Sequence, residues 1–406
     1  MRREAAEARH AVARHAVAYR IVARAGGVTL ALLSLIVVAA CGRPAHDGGF
    51  TPPALTDLPP GVWTRVPLSA PARCADGSAY ALQVLPGDTS ELVVMFQGGG
   101  ATWGEVAVPW TLRLLLSQLG TRLYLPRVTD VPKAGVAQPP TDAAIAGATQ
   151  VVVSYCSGDV HWGDAAGRDD LGHAIEQRGA VNVRAALAWL AEQGLAPEQL
   201  TVVGCSAGAY GALAWAPSLQ ALYPTGQRSL VLEAGLGVVQ APFLTGPGGL
   251  PGWQVEGAYA DNGLTALLPI GDDLDYLETL VKAVAERFDG PIGVASTDRD
   301  AVQALFWYLM GETGSRYPDD PAAEIDAWSL LALERLETLA AIEGVSTFLS
   351  AWVPDAIPRQ LEGHATGHCL ITSDDLWDSE EGAAFGAWWE ALRGGTLPAP
   401  VDLRRP

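Results

Sequence analysis

The chain has 406 residues, 49% of them apolar and 17% charged, with 26 Lys+Arg against 45 Asp+Glu for a formal charge of −19. This is a globular composition, since a disordered chain carries fewer apolar residues and more charge. Nucleic-acid binding is excluded for want of clustered bases (only Lys133 and Lys282 are lysines), and five cysteines without a C-x-x-C pair make neither a disulfide scaffold nor a zinc site, so no metal or cofactor is expected.

Residues 1–40 differ from the rest. Six arginines face only Glu4 and Glu7, and an apolar run from Val28 to Ala40 follows, too short to span a bilayer. A basic stretch, an apolar stretch and small residues before a cut site make an export signal. Val38-Ala39-Ala40-Cys41 resembles a bacterial lipobox, which implies cleavage before Cys41 and lipidation of its thiol. Residues 41–60, rich in Pro and Gly, are expected to be a tether, with the folded domain spanning 61–406.

In the body, short apolar runs alternate with helical patterns, so the expected class is α/β with a mostly parallel central sheet, helices on both faces and loop or cap insertions. The first predicted strands are Ala81–Leu85 and Leu92–Gln97. Gly98, Gly99 and Gly100 follow the second. Three glycines after a strand let backbone N–H groups approach a substrate oxygen without Cβ obstruction. A helix is predicted over Trp110–Leu119 and a strand over Gln150–Tyr155. The polar run Tyr155–Gly163 then offers Asp159 and His161, read as a loop near the site rather than as a second acid–base pair. A helix over Val181–Gln193 places Val183, Ala186, Leu187 and Leu190 on one face.

Strand Leu200–Gly204 leads into Gly204-Cys205-Ser206-Ala207-Gly208 and a helix over Ala207–Ala216. G-x-S-x-G between a strand and a helix is the setting of a nucleophile elbow, which exposes the serine Oγ at a sheet edge. Ala207, the residue after the serine, supplies one oxyanion donor, and the Gly98–Gly100 loop the other. In this architecture an acid and then a histidine follow the serine. Strand Ser229–Glu233 ends in Glu233, an outside candidate for the acid. Segment 236–268 reads as loops or a cap. Asp272, Asp273 and Asp275 lack the Gly and Glu of a calcium loop and read as the start of helix Leu274–Arg287. Strand Ile292–Ser296 runs into Asp298 and Asp300, both candidate acids, with Thr297 or Asp298 expected to cap the helix Val302–Met310. Segment 312–330 reads as loop or cap, overlapping a helix predicted over Ala322–Ile342. After strand Ser346–Val353 come His364 and His368, the two histidines that follow Ser206 in the chain. His368 is preferred because it leads directly into Cys369-Leu370-Ile371. A last helix is predicted over Glu381–Leu392.

Several of these segments together resemble the pectin acetylesterase family, which includes the animal Notum carboxylesterases. The resembling residues are Cys74-Ala-Asp-Gly-Ser78, Val93-Val-Met-Phe-Gln-Gly-Gly-Gly-Ala-Thr-Trp103, Tyr155-Cys-Ser-Gly-Asp-Val-His-Trp-Gly163, Gly204-Cys-Ser-Ala-Gly208, Asp300-Ala-Val-Gln303 and Gly367-His-Cys369. The resemblance implies an α/β-hydrolase-like fold and serine esterase chemistry. By motif it assigns Ser206 as nucleophile, Asp300 as acid, His368 as base, and Gly99, Gly100 and Ala207 as oxyanion donors. It also implies an acetylated polysaccharide as substrate, although an acidic body repels an unmodified polyanion. A lipid or fatty-acyl ester, acyl transfer on the same triad, and a non-catalytic glycan-binding surface lipoprotein are the alternatives. The expected location is the cell envelope, with membrane contact through the lipid anchor only. Cys74, Cys156, Cys205 and Cys369 admit three pairings.

Overall fold

The computed structural model describes residues 50–103, 122–130, 145–169, 171–246, 249–311, 320–354 and 363–404. The expected signal segment, Cys41 and the helix predicted over 110–119 lie outside them.

The strands are β1 (Thr64–Pro67), β2 (Ala81–Leu85), β3 (Asp88–Phe96), β4 (Ala148–Val153), β5 (Ala165–Arg168), β6 (Ala174–Gln177), β7 (Gln199–Cys205), β8 (Gln227–Glu233), β9 (Ile292–Thr297), β10 (Val345–Ser350) and β11 (Val401–Asp402). Nine form one sheet in the order β1-β2-β4-β3-β7-β8-β9-β10-β11. The β1–β2 and β2–β4 pairs are antiparallel, and every other pair is parallel. β5 and β6 make a separate antiparallel hairpin. The longer helices are α1 (Gly179–Glu192), α2 (Ala207–Leu222), α3 (Tyr276–Ala285), α4 (Ala301–Met310), α5 (Pro321–Ala340) and α6 (Glu380–Arg393).

The central strands are buried on both faces, as apolar runs without alternation should be. Leu92, Val94 and Phe96 of β3 point into a large core shared with α1, α2, α3 and α5. Val93 and Met95 point into a second core closed by Phe385, Trp388 and Trp389 of α6. Burying such a side chain stabilises by about 1.5–3 kcal/mol, so each strand is fixed from two sides.

Departures from the sequence reading have local causes. β1 is short, polar and contains Pro67, which an edge strand tolerates because its N–H side need not pair. β10 stops at Ser350, whose Oγ accepts the Trp352 N–H at 3.0 Å and turns the chain out of the ladder. α2 runs past its predicted end at Ala216 and through Pro217, because Leu219 in the next turn is buried in the core. The folded body also reaches further back than Gly61. Leu55 and Leu58 are buried in the core, and Trp189 donates to the Pro53 carbonyl at 3.0 Å. The described residues of 236–268 include four short helical turns, Ala241–Thr245, Leu250–Trp253, Glu256–Asp261 and Thr265–Leu267, and the first two help to line the cavity at the carboxyl end of the sheet.

Candidate active site

β3, β7, β8, β9 and β10 run parallel, so their carboxyl ends share one edge of the sheet. The Gly98–Gly100 loop, Ser206 and Asp300 follow those ends, Glu233 is the last residue of β8, and the loop after β10 brings His368 to Asp300. A crevice at this edge is where open α/β sheets bind ligands.

Ser206 has φ 57° and ψ −127°, a conformation that costs a non-glycine residue about 1–3 kcal/mol. Missing Cβ atoms make the turn possible. One on Gly204 would lie 2.0 Å from the Gly208 carbonyl oxygen, and one on Gly208 would lie 1.9 Å from that of Phe96. The Ser206 N–H donates to the Glu233 carbonyl at 2.9 Å, which hangs the elbow on β8. Gly98 presses against the elbow in turn, since a Cβ there would lie 2.6 Å from the Cys205 carbonyl oxygen. Gly100 and Ala207 line one cavity together with Ser206 and His368. Ala207 opens α2, so its N–H is one that the helix itself cannot pair. Gly99 sits beside this group, with its Cα turned toward Leu125 and Tyr155.

Of the two candidate acids, the fold presents Asp300 to the base. Its carboxylate is fully buried. Oδ1 accepts the N–H groups of Val302 and Gln303 at 2.9 and 3.0 Å, capping α4. Oδ2 accepts from His368 Nδ1 at 2.7 Å and from Gln303 Nε2 at 2.9 Å. The helix cap expected at Thr297 or Asp298 is therefore Asp300 itself. Thr297 instead donates its hydroxyl to the Gly367 carbonyl at 2.6 Å and holds the histidine loop. Asp298 is half-buried, and burial raises its pKa. His364 is exposed.

A carboxylate can only accept, so Nδ1 of His368 carries a proton and Nε2 is the free base of the neutral ring. Burial disfavours the imidazolium here. The charge and hydrogen bond of Asp300, reinforced by Glu233, outweigh that penalty and raise the pKa above its ordinary value. Glu233 does not touch the ring in the acid's place. Its Oε1 accepts the Leu370 N–H at 2.8 Å, while Oε2 is buried with no partner among the described residues. Burial pushes its pKa up to about 7. Glu233 thus anchors the elbow through its main chain and the histidine loop through its side chain.

The cysteines pair as Cys74–Cys156 and Cys205–Cys369. The second bond joins the residue before Ser206 to the residue after His368. Among the described residues the one cluster of three candidate metal ligands is Cys205, His368 and Cys369, and both of its sulfurs are consumed in that bond.

The cavity measures about 90 Å³, and its wall is predominantly apolar. Trp103, Phe243 and Trp253 pack edge to face at 5.2 and 5.5 Å, and Phe306, Trp307 and Met310 of α4 continue the wall. The sequence reading missed this lining. The available signal was the set of large apolar residues, Phe243, Leu250 and Trp253, inside a segment otherwise rich in Gly and Pro.

A family model described as pectinacetylesterase matches residues 64–238. No curated protein matches the chain. Two crystal forms of the Wnt deacylase Notum from Drosophila are similar in structure, each 16% identical and covering 84% of this chain. One is covered over 98% of its own length with a TM-score of 0.50, the other over 97% with 0.53. At that identity the likeness is one of fold.

Proposed function

We propose a serine carboxylic-ester hydrolase working through Ser206, His368 and Asp300, a reading supported by the match of residues 64–238 to the pectinacetylesterase family model and by the geometry at the sheet edge. The observation that carries this reading is the 2.7 Å contact between His368 Nδ1 and Asp300, beside a cavity lined by His368 and by Ser206 on its strained elbow. His368 Nε2 takes the proton from Ser206 Oγ, and Oγ attacks the ester carbonyl. N–H groups of Ala207 and the Gly99–Gly100 segment stabilise the tetrahedral oxyanion. Collapse releases the alcohol, which takes the proton from His368. Water then attacks the acyl-enzyme with His368 again as base.

The aromatic and aliphatic cavity favours an apolar acyl chain longer than acetyl. Each methylene it buries contributes about 0.8 kcal/mol, so kcat/KM on p-nitrophenyl esters should rise roughly fourfold per methylene from acetate upward until the cavity is full. Deacetylation of a neutral acetylated glycan is the second reading, favoured by the family match. A series in which acetate is the best substrate would replace the first reading by the second. The proposal includes export and anchoring at Cys41. C41A should leave the membrane fraction, and a variant that stays there contradicts the anchor.

A further inference from the structure

The segment Tyr155–Gly163 holds an aspartate and a histidine that the proposed reaction does not use, in the one place among the described residues where two consecutive non-glycine residues have positive φ. Val160 and His161 are consecutive non-glycine residues at φ 49° and 69°, following Gly158 at 76°. Left-handed backbone is costly for any residue with a Cβ, and more so for a β-branched valine. Such a turn persists only where its surroundings over-determine it, and here they do. Asp159 is fully buried. Its Oδ1 accepts from Ser157 Oγ at 2.6 Å and from the His161 N–H at 3.3 Å, and its Oδ2 accepts from the Gly179 N–H at 2.7 Å. The Val160 N–H donates to the Tyr155 hydroxyl at 3.0 Å. Gly163 and Gly179 leave room for the carboxylate, since Cβ atoms there would lie 2.6 and 2.3 Å from it.

This construction delivers the His161 ring into a slot between Phe96, Tyr155 and Gly211. The ring centroids lie 5.3 Å from Phe96 and 4.8 Å from Tyr155, and a Cβ on Gly211 would meet the imidazole at 2.6 Å. Trp215 Nε1 donates to the His161 carbonyl at 3.0 Å. The ring's Nε2 lies 3.0 Å from the carbonyl oxygen of Gln97, the residue before the glycine loop. A carbonyl only accepts, so Nε2 carries the proton. Burial pushes the pKa of His161 down to about 4, so the ring stays a neutral donor through the working range.

Gln97 is held at four points. Its carbonyl accepts from His161, its N–H donates to the Val153 carbonyl at 3.1 Å, its Oε1 accepts the Tyr155 N–H at 3.0 Å, and its Nε2 donates to Thr129 Oγ1 at 3.0 Å. Three successive glycines have wide conformational freedom, so the direction of their N–H groups must be set by what anchors the loop. Oxyanion stabilisation depends on donors already aimed at the developing charge.

We infer that His161 is a positioning residue for the oxyanion hole, holding the Gln97 carbonyl so that the Gly98–Gly100 loop lies correctly against the Ser206 elbow. This rests on the esterase reading above. The experiment measures esterase kinetics and Ser206 labelling by a fluorophosphonate in wild type, H161F and H161Q. H161F removes the donor and should lower kcat by about 10–100-fold with KM little changed, slowing labelling in parallel. H161Q carries an N–H at nearly the same reach and should recover most of kcat. The acid limb of the pH profile should stay in place, because His161 does not titrate there. If H161F does not fold, H161N, whose amide falls short of Gln97, carries the same expectation. Unchanged kcat in a folded donor-less variant, a loss confined to KM, or no recovery in H161Q overturns the inference. A wild type that fails to label at Ser206 instead overturns the esterase reading.

Discussion

Two aspartate–histidine pairs among the described residues, each with a fully buried aspartate, are wired in opposite ways. In Asp300–His368 the carboxylate meets the ring, at 2.7 Å. That contact, helped by Glu233, raises the imidazole pKa against the pull of burial. In Asp159–His161 the carboxylate meets backbone N–H groups and a serine hydroxyl, and the ring meets a carbonyl. With no carboxylate on the ring, burial dominates, pushing His161 down to about 4 and Asp159 up to about 6. The same two residue types thus give one ring whose free Nε2 can accept a proton and one neutral ring whose Nε2 only donates. What decides is whether the carboxylate touches the ring, which spacing along the chain does not encode.

The comparison can be broken most severely on the reactive side. Replacing Ser206 by alanine should lower kcat by about 10⁵–10⁶-fold on any ester the wild type turns over, measured by p-nitrophenol release. D300N should come next, at about 10³–10⁴-fold in kcat, because an asparagine amide can donate to Nδ1 and force the proton onto Nε2. A D300N enzyme within tenfold of wild type would mean that Asp300 is mainly the cap of α4. The scaffold pair sets a smaller scale, the 10–100-fold expected for H161F.

Glu233 supplies the smallest and most diagnostic effect. His368 must be neutral to accept a proton, so activity is lost as pH falls through its raised pKa. E233Q keeps the acceptor for Leu370 but removes a negative charge that favours the imidazolium. Its acid limb in kcat/KM should move to lower pH by about half a unit. The charge of each of Glu233 and His368 favours the charged form of the other, so removing Glu233 acts on the limb through His368. Stability gives an independent check. The folded-state pKa of this carboxyl, about 7, lies above its unfolded value, so the stability of its neutral form is full below the unfolded pKa and is lost as pH rises through 7. The Tm of E233Q relative to wild type should therefore climb between about pH 4.5 and pH 7 and level off above that. A flat difference would show that the folded pKa of Glu233 is not raised and that the carboxyl is already ionised in both states.

How far these features were legible beforehand follows from which contacts are local. The elbow was readable because strand, G-x-S-x-G and helix are contiguous, and the two glycines are demanded by contacts at 2.0 and 1.9 Å. The strands of the parallel sheet were readable because both faces are buried and their sequences are nearly continuous apolar runs. Asp298 and Asp300 both follow β9, so their place in the chain did not separate them, and only the motif resemblance through Gln303 favoured Asp300. They separate physically where the loop after β10 brings His368 back across 68 residues onto Asp300. Glu233 was weighed only as an acid, because its bond to Leu370 spans 137 residues. The cavity was hidden for the same reason, its wall being drawn from Trp103, the 236–268 segment, α4 and Trp328 of α5.

The central claim is that Ser206 is a nucleophile activated by His368 and Asp300. Its most direct test is intact-mass and peptide mass spectrometry after exposure to a fluorophosphonate, with wild type, S206A and D300N side by side. The account predicts one equivalent on the Ser206 peptide in wild type, none in S206A and much slower addition in D300N. Absence of an adduct in wild type, or an adduct on any other residue, would contradict it.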